Sequence, residues 1–112
     1  MTHYVWDDKK NALNIKKHEI SFGEATEVFL DPLVFFAENP TSEKQERFRA
    51  YGCTLIQKAL VVVFCDKSIF EGEEIIRIIS ARKLDRKEKK IMEGIRLGKS
   101  SKTVRRATSR HR

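Results

Sequence analysis

The 112-residue chain has few of the residues that build metal, cofactor or disulfide-linked sites. It contains two cysteines, three histidines, two prolines and one tryptophan. Cys53 and Cys65 form no CxxC pair and the histidines form no HExxH motif, so their spacing provides no zinc site. A glycine-rich phosphate loop is also missing. We therefore expect no metal ion and no nucleotide cofactor, and we expect both cysteines to be free thiols.

Long apolar runs are missing as well. The longest, from Ala59 to Cys65, has the length of a buried strand and is too short to span a bilayer. The first residues lack the apolar core of a signal peptide. With 40% apolar and 35% charged residues, the composition is that of one charge-rich globular domain. We expect a cytoplasmic protein with no membrane contact.

Negative charge is scarce in the C-terminal part of the chain. Residues 1–81 contain 10 Lys/Arg and 13 Asp/Glu, whereas residues 82–112 contain 13 Lys/Arg and 3 Asp/Glu. This asymmetry indicates a polyanionic partner, either nucleic acid or an acidic protein, although a solvated helix and tail explain the charge equally well. Residues 98–112 include six basic and no acidic residues. We predict a folded domain of residues 1–97 followed by a disordered basic tail.

Cap residues, turn residues and apolar periodicity predict an α+β fold. Three helices are predicted: from Asp7 or Asp8 to about Lys17, from the capping box at Ser21 and Glu24 to about Leu30, and from Asp85 to about Leu97. Four strands are predicted at residues 33–37, 47–55, 59–66 and 74–82. Their short connections favour an antiparallel meander. We thus expect two N-terminal helices and a C-terminal helix packed on a four-stranded antiparallel sheet.

Arg77 lies among the isoleucines of the last predicted strand. A guanidinium in apolar surroundings has to be paired or has to hold an anionic ligand. An ion pair with a carboxylate such as Glu46 and a contact with phosphate explain its position equally well. Simple alternation places Arg77 and Arg82 on opposite faces of the strand. Both can serve one site only if the strand bends or ends before Arg82.

Several short motifs occur in an order that resembles the BrnT family of toxins. They are Val5-Trp6-Asp7, Asn14, Lys17-His18, Ile20-Ser21-Phe22, Glu24-Ala25, Val28-Phe29, Asp31-Pro32, Glu46-Arg47, Gly52, the run from Ile76 to Lys83, and Glu88. The resemblance covers residues 4–93 and implies a RelE-like fold and a metal-independent endoribonuclease that inhibits translation and growth. It also implies a cognate ribbon-helix-helix antitoxin, similar to BrnA, that neutralises the toxin in a hetero-oligomer and alone contacts operator DNA.

The chain departs from the family pattern at two positions. Glu19 replaces a glycine that would end the first helix in a left-handed turn at little cost. Met92 replaces a tyrosine that is frequent in the C-terminal helix, which removes a group that could stack on a base or transfer a proton. Both departures bear on whether the chain retains full activity.

Metal-free cleavage of RNA needs a base for the 2′-hydroxyl, cations around the phosphorane and a proton donor for the leaving oxygen. Arginine suits the second task because its fork donates two hydrogen bonds to phosphate oxygens. We assign catalysis to Arg77, Arg82, Glu46 and His18, and RNA binding to Lys17, Arg47 and Lys83. His18 at a helix end and Glu46 at a strand start also have purely structural explanations.

The toxin ribonuclease is our main hypothesis. One alternative is a non-catalytic nucleic-acid-binding module in which arginines and lysines contact phosphate without a base or acid nearby. The other is a degenerate toxin retained as a protein-interaction partner, which the departures at Glu19 and Met92 would favour.

Overall fold

The structure, a computed structural model, describes residues 2–39, 47–66, 73–98 and 105–106. In chain order its elements are β1 (Thr2–Val5), α1 (Asp8–His18), α2 (Phe22–Ala25), a 3₁₀ helix (Thr26–Leu30), β2 (Phe35–Glu38), β3 (Phe48–Cys53), β4 (Ala59–Asp66), β5 (Glu74–Lys83), α3 (Arg86–Arg96) and β6 (Arg105–Arg106). The α+β class predicted from the sequence is confirmed.

The described strands form one mixed sheet in the order β1-β5-β4-β3-β2-β6. Its centre, β2 to β5, is the antiparallel meander that the sequence predicts. The prediction of four strands, all antiparallel, is wrong, because β1 adds a strand that runs parallel to β5. A four-residue segment such as β1 has no strand periodicity of its own and becomes a strand only by pairing with the open edge of β5. The two-residue β6 pairs with β2 at the opposite edge.

The second predicted helix also differs from the prediction. Its N-cap is confirmed, since Ser21 Oγ accepts a hydrogen bond of 3.0 Å from the Glu24 amide. The α-helix ends after four residues, however, and the chain continues as the 3₁₀ helix to Leu30. The β-branched Thr26 and Val28 favour an α-helix only weakly. A Cβ atom on Gly52 of β3 would lie 3.0 Å from Val28, so this glycine allows the close approach of the two elements.

The sheet separates two apolar cores. The larger core packs α2 and the 3₁₀ helix on one face, and it includes Ile20, Phe22, Val28, Leu60, Phe64, Ile76, Ile78 and Ala81. The smaller core packs α3 on the other face, and it consists of Phe35, Tyr51, Val61, Leu84, Met92 and Ile95. Met92, the second departure from the family pattern, is thus a core residue and is 4% exposed.

Ion pairs attach α3 to the rest of the domain at both ends. In its first turn Glu88 forms a capping box with Asp85 and also binds Arg82 of β5. In its last turn Arg96 binds Asp31, which follows the 3₁₀ helix. The position of α3 over one half of the sheet is therefore fixed by two carboxylates.

Glu19 ends α1 in the left-handed conformation, with φ of 62° and ψ of 28°. The first departure from the family pattern therefore places a side chain where glycine is favoured. Of the predicted tail, only Gly98 and the backbone pairing of Arg105 and Arg106 are described. The other tail residues lie outside the described part, so the disordered tail stays a prediction.

Candidate active site

A β-bulge in β5 brings Arg77 and Arg82 to the same face of the sheet. Val63 pairs with Ser80 and Phe64 pairs with Ile78, which leaves one extra residue in β5. An extra residue reverses the alternation of side chains beyond it. Ala81 consequently joins Ile76 and Ile78 in the larger core, while Arg82 reaches the side on which α3 packs. The bend that the sequence analysis required is therefore present.

Strand β3 adds two residues to this face that the sequence analysis did not assign to the site. Arg49 lies opposite Val63 and Tyr51 lies opposite Val61, and these β4 residues pair in turn with Ser80 and Arg82. We call the side of the sheet that carries Arg49, Tyr51, Arg77 and Arg82 the arginine face. The alternation of residues 47, 49 and 51 along β3 was the signal that could have found Arg49 and Tyr51.

In the half of the arginine face that α3 covers, Arg82 is engaged with a carboxylate. Its Nη1 and Nη2 atoms lie 2.8 and 3.0 Å from Glu88 Oε1 and Oε2, a two-pronged ion pair. The hydrogen bonds from Arg82 hold the pKa of the Glu88 carboxyl below its ordinary value, and they raise the pKa of Arg82. Glu88 is therefore ionised at neutral pH and is a poor base. The structure gives Arg82 a role in attaching α3.

Tyr51 belongs to the smaller core and is 7% exposed. We call the part of the arginine face beyond this core, which carries Arg49 and Arg77, the open half. Its ring stacks on Phe35 with 5.0 Å between ring centroids and 9° between planes. Burial raises the pKa of Tyr51, although the nearby guanidiniums of Arg49 and Arg82 act in the opposite direction. Its hydroxyl has no hydrogen-bond partner among the described residues. The hydroxyl is thus protonated at neutral pH, and none of the described residues uses its donor.

In the open half, two guanidiniums form no ion pair with a carboxylate of the residues that the structure describes. Arg77 is half-buried, and its guanidinium makes no ion pair or hydrogen bond within the described ranges. Arg49 donates from Nη2 to the Glu38 carbonyl at 3.2 Å, and its Cζ lies 5.9 Å from the centroid of the Tyr51 ring. Its Nε is buried without a partner in the described part of the chain. Two such forks on one face can hold a phosphate between them.

The remaining predicted site residues are placed differently. Lys83 is exposed at the end of β5 and, following Arg82, lies on the opposite face by alternation. Lys17 and His18 are the last residues of α1. Asn14 of the same helix accepts a hydrogen bond from the backbone N–H of Ala81 in β5 and donates one to its C=O. No contact in the described residues joins His18 or Lys17 to the arginine face. The geometry places His18 in the last turn of α1, at the negative end of the helix dipole.

The other two predicted residues, Glu46 and Arg47, precede β3 in the sequence. Glu46 lies outside the described residues. Arg47 is half-buried and precedes Arg49 by two positions, which places it in the same row of the sheet face by alternation. Its carbonyl accepts a hydrogen bond of 2.9 Å from the Asn39 amide.

Among the described residues, 2–39, 47–66, 73–98 and 105–106, no three His, Cys, Asp or Glu side chains are grouped so that they could hold a metal ion. No helix among them is long and apolar enough to cross a membrane.

Comparison with known proteins identifies the family. A family model for the ribonuclease toxin BrnT of type II toxin–antitoxin systems matches residues 6–88. The crystal structure of the Brucella abortus ribonuclease toxin BrnT is similar, with 26% sequence identity and a TM-score of 0.53 over 77% of this chain and 99% of that chain. None of the curated proteins matches the chain. The sequence motifs, the fold and these matches agree, and the chain belongs to the BrnT family of ribonuclease toxins of type II toxin–antitoxin systems.

Proposed function

We propose that this toxin cleaves RNA without a metal ion, on the open half of the arginine face. The observation that carries the proposal is the pair of guanidiniums, Arg77 and Arg49, that share one face and have no carboxylate partner among the described residues. In a ribonuclease the natural occupant of such a pair is the phosphate whose bond is broken. The neighbouring Arg82 shows the contrast, because Glu88 already occupies its fork.

The reaction that fits this arrangement is transesterification within one nucleotide of RNA. The 2′-oxygen attacks phosphorus, the bond from phosphorus to the 5′-oxygen breaks, and a 2′,3′-cyclic phosphate and a 5′-hydroxyl are formed. Arg77 and Arg49 stabilise the charge of the phosphorane. Arg47 contacts the RNA strand beside them. Their contribution is greatest in the transition state because the negative charge on the equatorial oxygens is greatest there.

The proton transfers require a base and an acid. We assign the acid to Tyr51, because its hydroxyl is protonated at neutral pH and has no hydrogen-bond partner within the described residues. We keep Glu46 as the base, because it is the carboxylate next to Arg47 in the sequence. Lys17, His18 and Lys83 have no geometric support of this kind, and the mechanism gives them no step.

Membership of a type II toxin–antitoxin family implies an antitoxin partner and an RNA target. We propose that the antitoxin has a ribbon-helix-helix DNA-binding part, forms a hetero-oligomer with the toxin and alone contacts operator DNA. In this proposal cleavage takes place in the cytoplasm and stops translation and growth.

The test is cleavage of single-stranded RNA by the purified chain in excess EDTA. We expect cleavage that leaves 2′,3′-cyclic phosphate ends, and no cleavage of RNA in which the reacting 2′-oxygen is methylated. Tyr51→Phe should lower the rate by about 10²-fold or more if Tyr51 donates the proton. Activity that returns only with Mg²⁺ or Mn²⁺ would contradict the mechanism, and RNA binding without cleavage would favour a degenerate toxin.

A further inference from the structure

A groove with both apolar and polar residues in its lining lies where the 3₁₀ helix, the β3–β4 turn and the C-terminal end of α3 meet. Its volume is about 290 Å³, and Leu30, Leu33 and Leu55 are among the residues that line it. These three leucines are 67%, 42% and 70% exposed. Ile56, next to Leu55, is 71% exposed. Exposed leucines concentrated around one groove mark a surface that gains free energy when a partner covers it.

One residue that lines the groove, Arg96, has a hydrogen-bond donor without an acceptor among the described residues. Asp31 accepts from the amide of Leu33 at 2.9 Å, from the amide of Cys53 at 2.7 Å and from Nη2 of Arg96 at 2.5 Å. Its carboxylate is therefore saturated. Nε of Arg96 is buried without a partner among the described residues. A ligand that offers an oxygen acceptor beside an apolar side chain would complement both features.

The groove is separate from the open half of the arginine face. Cys53, at the groove, follows Arg49 by four residues of β3, roughly 13 Å along a strand. The smaller core under α3 lies between them. A partner bound only in the groove would leave Arg77 uncovered. Contacts in the groove can thus be removed without touching the residues that we assign to RNA cleavage.

The N-terminal half of α3, the end away from the groove, is basic at its surface. Its four exposed basic residues are Arg86, Lys87, Lys89 and Lys90. Of the two acidic residues of α3, Glu88 is paired with Arg82, whereas Glu93, which is nearer the groove, is exposed. Glu27, which accepts a hydrogen bond from the Leu55 amide at 3.0 Å, adds a negative charge at the groove itself. The partner should therefore be apolar where it enters the groove and acidic where it reaches the N-terminal half of α3.

We propose that the groove anchors the antitoxin, through a segment that inserts an apolar side chain between the three leucines and continues as an acidic stretch along α3. The proposal deepens the assignment to a type II toxin and rests on the existence of its antitoxin. Contacts in the groove supply the affinity for the antitoxin. The acidic stretch accelerates association and directs the segment towards the groove.

The test uses the full-length chain and, as probe, the protein encoded by the neighbouring reading frame. The double variant Leu30→Glu with Leu55→Glu should bind this protein at least about 30-fold more weakly, because it places charge in the apolar centre of the interface. Leu13→Glu is the matched control, since Leu13 is 65% exposed but lies on α1. Leu55→Ala removes the side chain without adding charge and should weaken binding by about tenfold.

RNA cleavage by the double variant should equal that of the wild type, so that the variant inhibits growth even when the antitoxin is present. Unchanged antitoxin affinity in both groove variants would overturn the proposal, as would an equal loss in Leu13→Glu. A wild-type dimer that only the groove variants dissociate, with antitoxin affinity intact, would assign the groove to a second copy and overturn it too. Failure of the wild type to cleave RNA would contradict the proposed function while leaving the binding result valid.

Discussion

The two halves of the arginine face use the same side chain for opposite purposes. In the covered half, Arg82 gives both prongs of its fork to Glu88 and thereby attaches the first turn of α3 to β5. In the open half, Arg77 has no carboxylate within the described residues. Five positions apart on one strand, one guanidinium contributes to stability and the other is available to an anion. The comparison teaches that position in a motif does not decide the role of an arginine; its carboxylate neighbours do.

The largest expected effect is that of Arg77→Ala on RNA cleavage. The rate should fall by about 100-fold or more, because a cation that stabilises the phosphorane is lost. The melting temperature should stay close to that of the wild type, since no partner of Arg77 is left unpaired among the described residues. Arg86→Ala, which removes an exposed arginine from α3, is the control for the change in net charge. A loss of activity that only follows the folded fraction would make Arg77 structural.

Asp31→Asn should have the second largest effect, and that effect should be on stability alone. The substitution leaves Arg96 without its carboxylate, and we expect a loss of about 2 kcal/mol in the free energy of unfolding, measured by urea denaturation. The cleavage rate per folded molecule should be unchanged. A fall in that rate would mean that the C-terminal end of α3 also shapes the open half.

Glu88→Gln should cost about 1 kcal/mol, because Arg82 is 42% exposed and solvent screens part of the pair. Arg82 lowers the pKa of Glu88 in the folded state. The pair therefore stabilises the fold at pH values above the pKa that Glu88 has in the unfolded chain. This contribution is lost as the pH falls through the pKa of Glu88 in the folded state. The hydrogen bonds to Asp31 lower its pKa below the ordinary value, against the effect of burial, so its contribution has the same sign. Unfolding free energies measured from pH 7 downwards should therefore decline less in Glu88→Gln than in the wild type. Parallel curves would contradict the assignment.

The smallest expected effect is that of Glu19→Gly, which lies outside both halves. Glycine adopts the left-handed conformation of this helix end without strain, so stability should rise by about 0.5–1 kcal/mol. The cleavage rate should not change. This variant separates stability from activity: a rate per folded molecule that differs from that of the wild type would contradict the separation.

The sequence predicts the parts of this fold that local chemistry decides. Capping boxes and apolar periodicity place α3, the start of α2 and the central strands, because each signal lies within a few residues. The parallel strand β1 was missed because its pairing with β5 depends on residues more than seventy positions away. The 3₁₀ helix was missed because packing against Gly52 overrides the helix pattern.

The candidate site was predicted only in part, because contacts between residues distant in the sequence decide which side chains come together. Motifs drew attention to Arg77 and Arg82, but only the β-bulge opposite Val63 and Phe64 shows that they share a face. The ion pair of Arg82 with Glu88 could not be predicted, since it depends on where α3 packs. Arg49 and Tyr51 were overlooked because no motif includes them, although alternation along β3 carried the information.

The most direct test of the account is the response of individual arginine side chains to RNA that resists cleavage. Nε–Hε signals in the NMR spectrum, assigned with single Arg→Lys variants, would be followed while RNA with 2′-O-methyl groups is added. The account predicts large shifts for Arg77 and Arg49, and little change for Arg82 and Arg96, whose forks are held by Glu88 and Asp31. Shifts of Arg82 and Arg96 with Arg77 and Arg49 unaffected would contradict it.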